Sequence, residues 1–382
     1  MDPSEAAMTA TVDIVGLGAT ENVRENGDAL EEIVHHAARR ALRDAGLDRE
    51  DLDSIAVCAT DLEDGRAISS MVTVGPAGGY RKDFLKSTDT GIHALALGAM
   101  RIRSGVYDNS LVISWGKQSE SDLETIRYLE NEPFAHRNTG LGWISGHAVQ
   151  ATAYLGTTEE ATAAADAVVE RNIVNAEANP RSIANPGKDD DGVASWPVAW
   201  HHLPPETDGA TALVLERRAD GDEPDGDTVS IEGFGLETAS YNAGNREFGR
   251  LEALDGAAAA AYGSAGIDDP RSTLDAAEVH SETAYHELMA CEALGLTDHG
   301  EAAAAELDGT FRRDGDMPVN PSGGPFAANP LSGTSLQRVA AAVRQLRGSA
   351  EYGASRPDRV LAHGTTGFTD QVHGVTVLGR GQ

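Results

Sequence analysis

Basic residues, and lysine above all, are scarce in this chain of 382 residues. The 61 Asp and Glu residues outnumber the 30 Lys and Arg residues, which gives a formal net charge of −31. Only four lysines occur, at Lys82, Lys86, Lys117 and Lys188. A surface that binds phosphates needs a cluster of basic side chains, and the sequence has no such cluster. We therefore expect no nucleic acid among the partners.

The sequence also lacks long hydrophobic runs. None approaches the roughly 18–20 apolar residues that a membrane-spanning helix needs. The chain begins MDPSEAAMTA, which is acidic and unlike the positively charged start of a secretory signal. We expect a soluble, cytoplasmic protein that binds no membrane.

Cysteine occurs only twice, at Cys58 and Cys291. Cys58 ends a strand-like apolar run, and Cys291 lies in a helix-like segment at residues 287–296. Two cysteines this far apart in sequence form neither a disulfide framework nor a zinc site. We predict that each is a small, buried, apolar side chain.

Acidic side chains, by contrast, are abundant. Asp-rich stretches occur at residues 189–191 and 221–227, and arginine supplies nearly all of the positive charge. Acidic surfaces with little lysine suit a cytoplasm of very high salt, where screening removes the self-repulsion. We expect a halophilic protein, with an ordinary acidic protein as the alternative. The hydrophobic content of 40% suffices for a large core, so the charge does not imply disorder.

Strand and helix patterns alternate along the chain and then restart. The first strands are predicted at residues 12–18, 52–60 and 109–115, and the first helices at residues 28–45 and 91–104. After a charged segment the pattern begins again, with strands predicted at 228–235, 277–280, 360–363 and 372–378 and helices at 252–263, 285–294 and 335–347. This order predicts an α/β fold with mixed sheets, divided into residues 1–220 and 221–382.

Two segments interrupt the alternation in the first of these parts. Residues 116–150 are irregular and polar, and residues 178–203 form a connection rich in Pro, Gly and Asp. A helix is predicted between them at residues 157–176, and a strand at 208–215 follows. A structureless connection this long is more typical of a functional loop or a cap than of an ordinary turn. We therefore predict a loop insertion at about 116–205.

The approach to the second predicted helix carries a dense group of polar side chains at residues 86–91 (KSTDTG). A side chain there lies where backbone N–H groups and the helix dipole favour an anion. The alternative is ordinary N-capping, because Ser, Thr and Asp are the residues that a helix start prefers. Composition alone favours capping.

Several motifs in order along the chain resemble those of the thiolase family. They are RSGVYD at 103–108 followed by LVI at 111–113, TDGATALVL at 207–215, EVHSE at 278–282, PVNPSGG at 318–324, and NPLSG at 329–333 before a helix. The resemblance extends over residues 12–380. Within the family, the sequence most resembles archaeal and sterol-carrier-type acetyl-CoA acetyltransferases. It implies an αβαβα layered fold of two similar halves, a coenzyme A thioester as substrate, no bound cofactor, and a place in lipid metabolism.

The family's catalytic positions carry other residues in this chain. The resemblance places the nucleophilic cysteine at Thr88, with Ser87 beside it, and places the family's "GHP" histidine at Asn329. An amide such as Asn can donate a hydrogen bond but takes no proton at neutral pH. The "HDAF" histidine is kept as His280, and His363 in the final glycine-rich turn is the candidate acid or base there.

Three functions stay open on these residues. The first is an acyltransferase for Claisen condensation or thiolysis, in which Ser87 or Thr88 replaces the cysteine and His280 or His363 activates it. The second is an aldol or retro-aldol lyase acting on CoA esters, with a histidine base and Asn329 as oxyanion donor. The third is a non-catalytic subunit of a complex. We place the acyltransferase first because the flanking glycine and proline loops persist.

The binding and partner expectations also follow from the resemblance. Arg81, Lys82 and Lys86 form the densest basic group and are predicted to bind coenzyme A, together with Gly323 and Gly324. A homodimer or tetramer is expected, with a small zinc-ribbon/OB-fold protein as a further partner. No metal site is predicted: His35 and His36 are expected on a solvated face of the first helix, and His201 and His202 lack a third ligand at useful spacing.

Overall fold

The computed structural model describes residues 10–156, 159–184, 192–219, 227–349 and 356–381. The predicted boundary near residue 220 and the Asp-rich stretches at 189–191 and 221–226 lie outside the described residues. Eleven strands are described: β1 (Thr11–Ala19), β2 (Ser54–Cys58), β3 (Asp83–Ser87), β4 (Asn109–Gly116), β5 (Val193–Ser195), β6 (Val198–Ala199), β7 (Gly209–Arg218), β8 (Val229–Thr238), β9 (Ala276–Glu278), β10 (Arg359–Thr366) and β11 (Val372–Arg380).

Twelve α-helices are described in the same residues. They are α1 (Leu30–Ala45), α2 (Ser70–Thr73), α3 (Gly91–Arg103), α4 (Leu123–Glu130), α5 (Trp143–Leu155), α6 (Glu159–Glu177), α7 (Glu252–Ala265), α8 (Pro270–Thr273), α9 (Ala284–Ala293), α10 (Ala302–Leu307), α11 (Gly324–Ala327) and α12 (Thr334–Leu346). None of the described helices is long and apolar enough to cross a membrane.

Nine strands form one mixed sheet in the order β3-β2-β4-β7-β1-β8-β11-β10-β9. Antiparallel β1 and β8 join its two parts through Asp13↔Ser230 and Ile14↔Val229. Outward from this junction the order β1-β7-β4-β2 is matched by β8-β11-β10-β9. The repeat in strand order is the structural counterpart of the pattern that restarts in the sequence.

Helices cover both faces of the strands. The helices α3 and α12 pack on each other and on the strands of both parts, whereas α1 covers β1 and β7 and α7 covers β8 and β11. Ile92 and Leu95 of α3 and Leu336 and Val339 of α12 lie in one buried cluster with side chains from both parts of the sheet. The predicted layered α/β arrangement of two similar halves is confirmed.

Local signals in the sequence explain the helices that were predicted well. The apolar side chains of α1 recur at helical spacing and are all buried, and Gly46 ends the helix with φ 70°, which glycine adopts without strain. Cys58 and Cys291 are free and buried, as predicted. Burial raises the pKa of the Cys58 thiol to about 12, so it stays protonated.

The predicted loop insertion was wrong in part. Residues 116–150 contain α4 and most of α5, and the connection at 178–203 contains the β5–β6 hairpin. The helix α4 buries only Ile126, so its apolar stripe is too narrow to be recognised in the sequence. Side chains of these two helices form one wall of a pocket.

Candidate active site

A pocket opens between α4, the N-terminal approach to α3, and the turn that follows β10. Charged groups dominate its wall, with apolar side chains from α4 and α5 beside them. The lining includes Glu63, Asp89, Arg127, Glu130, Trp143, His280, Glu282, Ser332, Ser335 and Thr365. Of the residues predicted to be catalytic, only His280 belongs to this lining.

The imidazole of His280 has a defined orientation. Its Nδ1 accepts a hydrogen bond from the Thr365 backbone N–H at 3.3 Å and lies 3.2 Å from Ser335 Oγ. Because Nδ1 is an acceptor, the proton of the neutral ring lies on Nε2. Nε2 is buried without a well-aligned hydrogen bond and lies 3.4 Å from Glu282 Oε1. In its neutral form His280 therefore offers an N–H donor to the pocket.

Glu282 is the ionised carboxylate of this wall. Burial raises its pKa, but the adjacent His280 ring, together with His147 and Arg127, outweighs burial and leaves the pKa below its usual value. Arg127 itself lies over the ring of Trp143, with 4.1 Å from its Cζ to the ring centroid, and bonds Glu206 at 2.8 Å. Glu282 is thus ionised at neutral pH.

Glu63 has the opposite electrostatic environment. Its Oε2 accepts hydrogen bonds from Ser332 Oγ at 2.5 Å and from the Ser332 backbone N–H at 3.3 Å. Burial of the carboxyl group, with the negative charges of Glu130 and Asp64, raises the pKa of Glu63 to about 8 despite these bonds. At neutral pH Glu63 therefore carries a proton that it can donate.

The two predicted nucleophiles lie at the end of β3 and just beyond it. Ser87 Oγ donates to Asp89 Oδ2 at 3.1 Å and accepts from the Asp89 backbone N–H at 3.2 Å, while Thr88 is exposed. Thr90 caps α3, since its Oγ1 accepts from the His93 backbone N–H. The hydrogen bonds of Ser87 and Thr90 thus lie within their own turn, and the structure brings Asp89 into the pocket lining instead.

Asn329 and His363 are buried close to the site but outside this lining of the described residues. Asn329 Oδ1 accepts from Thr334 Oγ1 at 2.5 Å, and its carbonyl accepts from Gln118 Nε2 at 3.0 Å. On β10, the Nε2 atom of His363 lies 3.1 Å from the Nδ1 atom of His373. Its pKa lies well below the usual value because of burial and the neighbouring histidines.

The residues predicted to bind coenzyme A do not come together. Lys86 pairs with Asp61, and Lys82 Nζ donates to the Glu50 carbonyl at 2.8 Å, both near the open edge of β3. Arg81 is exposed beside them. Gly323 and Gly324 are buried with positive φ, and a Cβ on Gly323 would come within 2.6 Å of Ala176 in α6. The two glycines therefore allow close packing against α6, whereas the basic group lies at the edge strand β3.

One group of potential metal ligands is present in the described residues: Asp166, His201 and His202. Both histidines place Nε2 near Asp166 Oδ1, at 2.8 and 2.9 Å. However, His202 Nδ1 accepts the Ala199 backbone N–H at 3.1 Å, so the ring carries its proton on Nε2. This set fits two imidazoles hydrogen-bonded to a carboxylate better than a metal.

Glu63 and Glu282 are the functional candidates that sequence reasoning missed. Glu282 lies in the quoted motif at residues 278–282, two positions after His280, and that proximity was the available signal. For Glu63 the sequence offers none, because its partner Ser332 is 269 positions away. A contact across that distance is a property of the fold.

Comparison with known proteins adds family-level information. Residues 237–380 match the family described as "Thiolase C-terminal domain-like". An acetyl-CoA acetyltransferase of Methanothermobacter thermautotrophicus is 28% identical over 95% of this chain and 98% of the relative. A steroid side-chain-cleaving aldolase of Thermomonospora curvata is 25% identical over 93% of this chain and 95% of the relative.

Two solved structures share the fold. The Ltp2-ChsH2(DUF35) aldolase superposes with a TM-score of 0.79 and 21% identity, covering 97% of this chain and 98% of that chain. The monomeric SCP2-thiolase like protein type 1 of Mycobacterium smegmatis has a TM-score of 0.70 and 18% identity, covering 98% and 78% respectively.

Proposed function

Because the chain belongs to the thiolase superfamily, we propose that it acts on a coenzyme A thioester, and that the reaction is aldol-type cleavage or formation of the Cα–Cβ bond of a β-hydroxyacyl thioester. One observation carries this proposal. The pocket holds two carboxyl groups whose pKa values are moved in opposite directions, Glu282 below its usual value and Glu63 to about 8. Such a pair supplies a base and an acid at the same pH.

In the cleavage direction the ionised Glu282 removes the proton of the β-hydroxyl group. The Cα–Cβ bond then breaks, Cβ becomes a carbonyl carbon, and the bonding electrons form the thioester enolate. The His280 Nε2–H donates to the enolate oxygen, where negative charge develops. Glu63 gives its proton to Cα, so that the products are an aldehyde or ketone and a shorter acyl thioester. The reverse sequence forms the bond.

This chemistry forms no covalent acyl-enzyme, which suits the contacts at the start of α3. Ser87 shares its hydrogen bonds with Asp89, and Thr88 is exposed. The wall of the pocket is acidic apart from Arg127, so the phosphates of coenzyme A are expected to remain at its mouth. Trp143, Ile126 and Phe368 supply the apolar surface for the acyl group.

A second candidate function is the acyltransferase activity with Ser87 as nucleophile. The observation that favours it is the distance of 3.1 Å from Ser87 Oγ to Asp89 Oδ2, because Asp89 lines the pocket and could take the hydroxyl proton. The relative of Methanothermobacter thermautotrophicus, an acetyl-CoA acetyltransferase, lends support as well. A non-catalytic role would leave the opposed pKa values of Glu282 and Glu63 without a use.

The experiment that separates these functions offers the purified protein two substrates, a β-hydroxyacyl-CoA and a β-ketoacyl-CoA with free coenzyme A. The aldol proposal expects a new aldehyde or ketone from the first and no thiolysis of the second. The control is Glu206→Gln, which removes a carboxylate bonded to Arg127 but outside the pocket lining. Thiolysis with acylation of Ser87 or Thr88, detected by mass spectrometry, would favour the second candidate.

We also propose that the protein assembles through the open edge of β3. This strand lies at the end of the sheet and exposes Phe84 and Leu85, with Met71 and Tyr80 nearby at 79% and 81% exposure. A flat, apolar edge of this kind is normally covered. We expect a homodimer or tetramer that Leu85→Lys dissociates in light-scattering measurements, whereas Val174→Lys on α6 leaves it intact.

A partner protein is a separate proposal. One of the solved neighbours is described as an aldolase together with ChsH2(DUF35), which supports a protein partner here. The family resemblance suggests that this partner is a small zinc-ribbon/OB-fold protein. Activity that rises on adding such a protein, at constant amounts of this chain, is the expected result.

A further inference from the structure

The turn between β10 and β11 has a conformation that its residue types do not favour. Thr369 and Asp370 have φ values of 49° and 54°. A β-branched residue such as Thr369 is rarely found in this left-handed region, because its side chain crowds the backbone there. Residues in such a conformation cluster at functional sites, and the surrounding structure has to hold them in place.

The guanidinium group of Arg246 holds this turn. Its Nη1 donates to the Thr369 carbonyl at 3.0 Å, and its Nη2 donates to the Phe368 carbonyl at 3.0 Å and to Thr369 Oγ1. From α5, Gln150 Nε2 donates to the same Thr369 carbonyl at 3.1 Å. One side chain that is 122 positions away in sequence therefore bonds two successive residues of the strained turn.

The same turn contributes to the active-site pocket. Gly367 and Phe368 belong to the pocket lining, and Phe368 is 7% exposed. The centroid of the Phe368 ring lies 5.2 Å from that of His136, in the connection between α4 and α5. On α5, Gly146 leaves room for this ring, since a Cβ there would come within 2.8 Å of Phe368. The position of Phe368 in the pocket therefore depends on how the turn is held.

The acid–base groups of the pocket are held by other contacts. Thr365, whose backbone N–H donates to His280 Nδ1, pairs with His373 in the ladder between β10 and β11. The carboxyl group of Glu63 is bonded by Ser332. Neither of these contacts includes Arg246. A change in the turn should therefore alter the shape of the pocket and leave the proton transfers in place.

We propose that Arg246 is a positioning residue that sets the fit of the acyl group, because it holds Phe368 in the pocket wall through the turn at residues 367–371. The inference rests on the proposed function, in which Trp143, Ile126 and Phe368 form the apolar surface for the acyl group. Arg246 lies outside the pocket lining of the described residues, so it acts on the substrate only through the turn. Without the guanidinium group, the turn loses three hydrogen bonds and Phe368 shifts out of its place.

The first test is a kinetic comparison of Arg246→Ala with the unaltered protein on a β-hydroxyacyl-CoA. KM should rise about tenfold, the effect of one misplaced methylene group in an apolar pocket, while kcat stays within about twofold. The pH dependence of kcat should not change, since Glu63 and His280 keep their contacts. A merely structural role of Arg246 would instead lower the folded fraction, and therefore kcat, at an unchanged KM. That result would overturn the proposal.

Chemical rescue and a matched control make this comparison specific to the guanidinium group. Arg246 is half-buried, so a guanidinium ion added at low concentration can reach the vacated place and donate to the same carbonyls. It should lower the KM of Arg246→Ala towards that of the unaltered protein. The control is Arg250→Ala, because the Arg250 guanidinium bonds His299 at 3.1 Å rather than the turn, and its KM should not change. An equal rise in Arg250→Ala, or a raised KM on which guanidinium has no effect, overturns the role of Arg246.

A binding measurement separates this inference from the proposed function. Butyryl-CoA lacks the β-hydroxyl group and cannot undergo the cleavage, so its Kd, measured by calorimetry, reports the fit of the acyl thioester alone. The Kd of Arg246→Ala should be about tenfold higher than that of the unaltered protein. If the unaltered protein binds butyryl-CoA but cleaves no β-hydroxyacyl-CoA, the proposed function fails, and the two Kd values still decide the role of Arg246. Equal Kd values overturn that role, and no binding of butyryl-CoA by the unaltered protein overturns both proposals.

Discussion

The pocket has two walls that differ in how their polar groups are used. At the approach to α3, the hydroxyls of Ser87 and Thr90 are bonded to Asp89 and to the helix start, so little is left for a substrate. Elsewhere in the lining, His280, Glu282 and Glu63 supply charge and protons to the pocket, and the surroundings hold the pKa values of the two carboxyl groups apart. In the proposed function the acid–base groups act on the substrate, whereas the hydroxyls at the start of α3 stabilise their own turn.

The largest effect is expected on the acid–base wall. Glu282→Gln keeps the shape of the side chain but removes the base, and we expect kcat to fall by about 10³–10⁴-fold, the upper range for a general base. The measurement is the rate of release of the aldehyde or ketone product. Glu206→Gln, which removes a carboxylate outside the pocket lining, is the control and should lose far less. Near-normal turnover in Glu282→Gln would show that Glu282 is not the base.

Glu63→Gln is expected to have the next largest effect, about 100-fold in kcat. Because the pKa of Glu63 is raised to about 8, it is a proton donor below that pH, and activity should decline as the pH rises through 8. This alkaline decline should be absent from the residual activity of the variant. A decline near pH 8 that persists in Glu63→Gln would show that another group sets it.

The free energy of unfolding should depend on pH through the Glu63 carboxyl group, and the raised pKa of this group sets the direction. The folded protein keeps a proton that the unfolded chain releases above the ordinary value of 4.5. The resulting contribution to stability is complete below that pH and is lost as the pH rises towards 8. The free energy of unfolding of Glu63→Gln should therefore depend less on pH in this window than that of the unaltered protein.

A smaller effect is expected for the hydroxyls of Ser87 and Thr88, at the approach to α3. Ser87→Ala and Thr88→Ala should change kcat for β-hydroxyacyl-CoA by no more than about fivefold, since neither hydroxyl takes part in proton transfer to the substrate. The check is the same product assay, run alongside Glu282→Gln as the positive control. A loss of orders of magnitude in either alanine variant would instead support the acyltransferase function.

The sequence predicted those elements whose signals are local. The helices α1 and α3 were predicted almost to the residue because their apolar side chains recur at helical spacing and a glycine or a cap marks an end. The strand β3 was missed because it is five residues long and buries little besides Ser87. The helix α4 was missed because it is eight residues long and buries only Ile126.

The site was harder to predict because its chemistry depends on distant contacts. His280 was recognised from a motif that surrounds it in the sequence, and it does lie in the pocket. The acidity of Glu63 depends on burial beneath Ser332 and on the charge of Glu130, neither of which is near in sequence. The orientation of the His280 ring depends on the backbone N–H of Thr365, 85 positions further on. Only the folded chain defines such environments.

The smallest effect on activity is expected at Thr90, which separates a role in stability from a role in catalysis for the residues at the start of α3. Its Oγ1 accepts the His93 N–H at the start of α3 and lies 2.9 Å from the His93 ring, so its contribution is a helix cap. Thr90→Ala should lower the free energy of unfolding by about 1 kcal/mol, as the loss of such a cap does, while kcat stays within twofold. Thr90→Ser, which keeps the hydroxyl, should restore most of the stability in denaturant titrations. A variant that is fully stable but inactive would assign Thr90 to catalysis, and the residues at the start of α3 would then share the chemistry of Glu282 and Glu63.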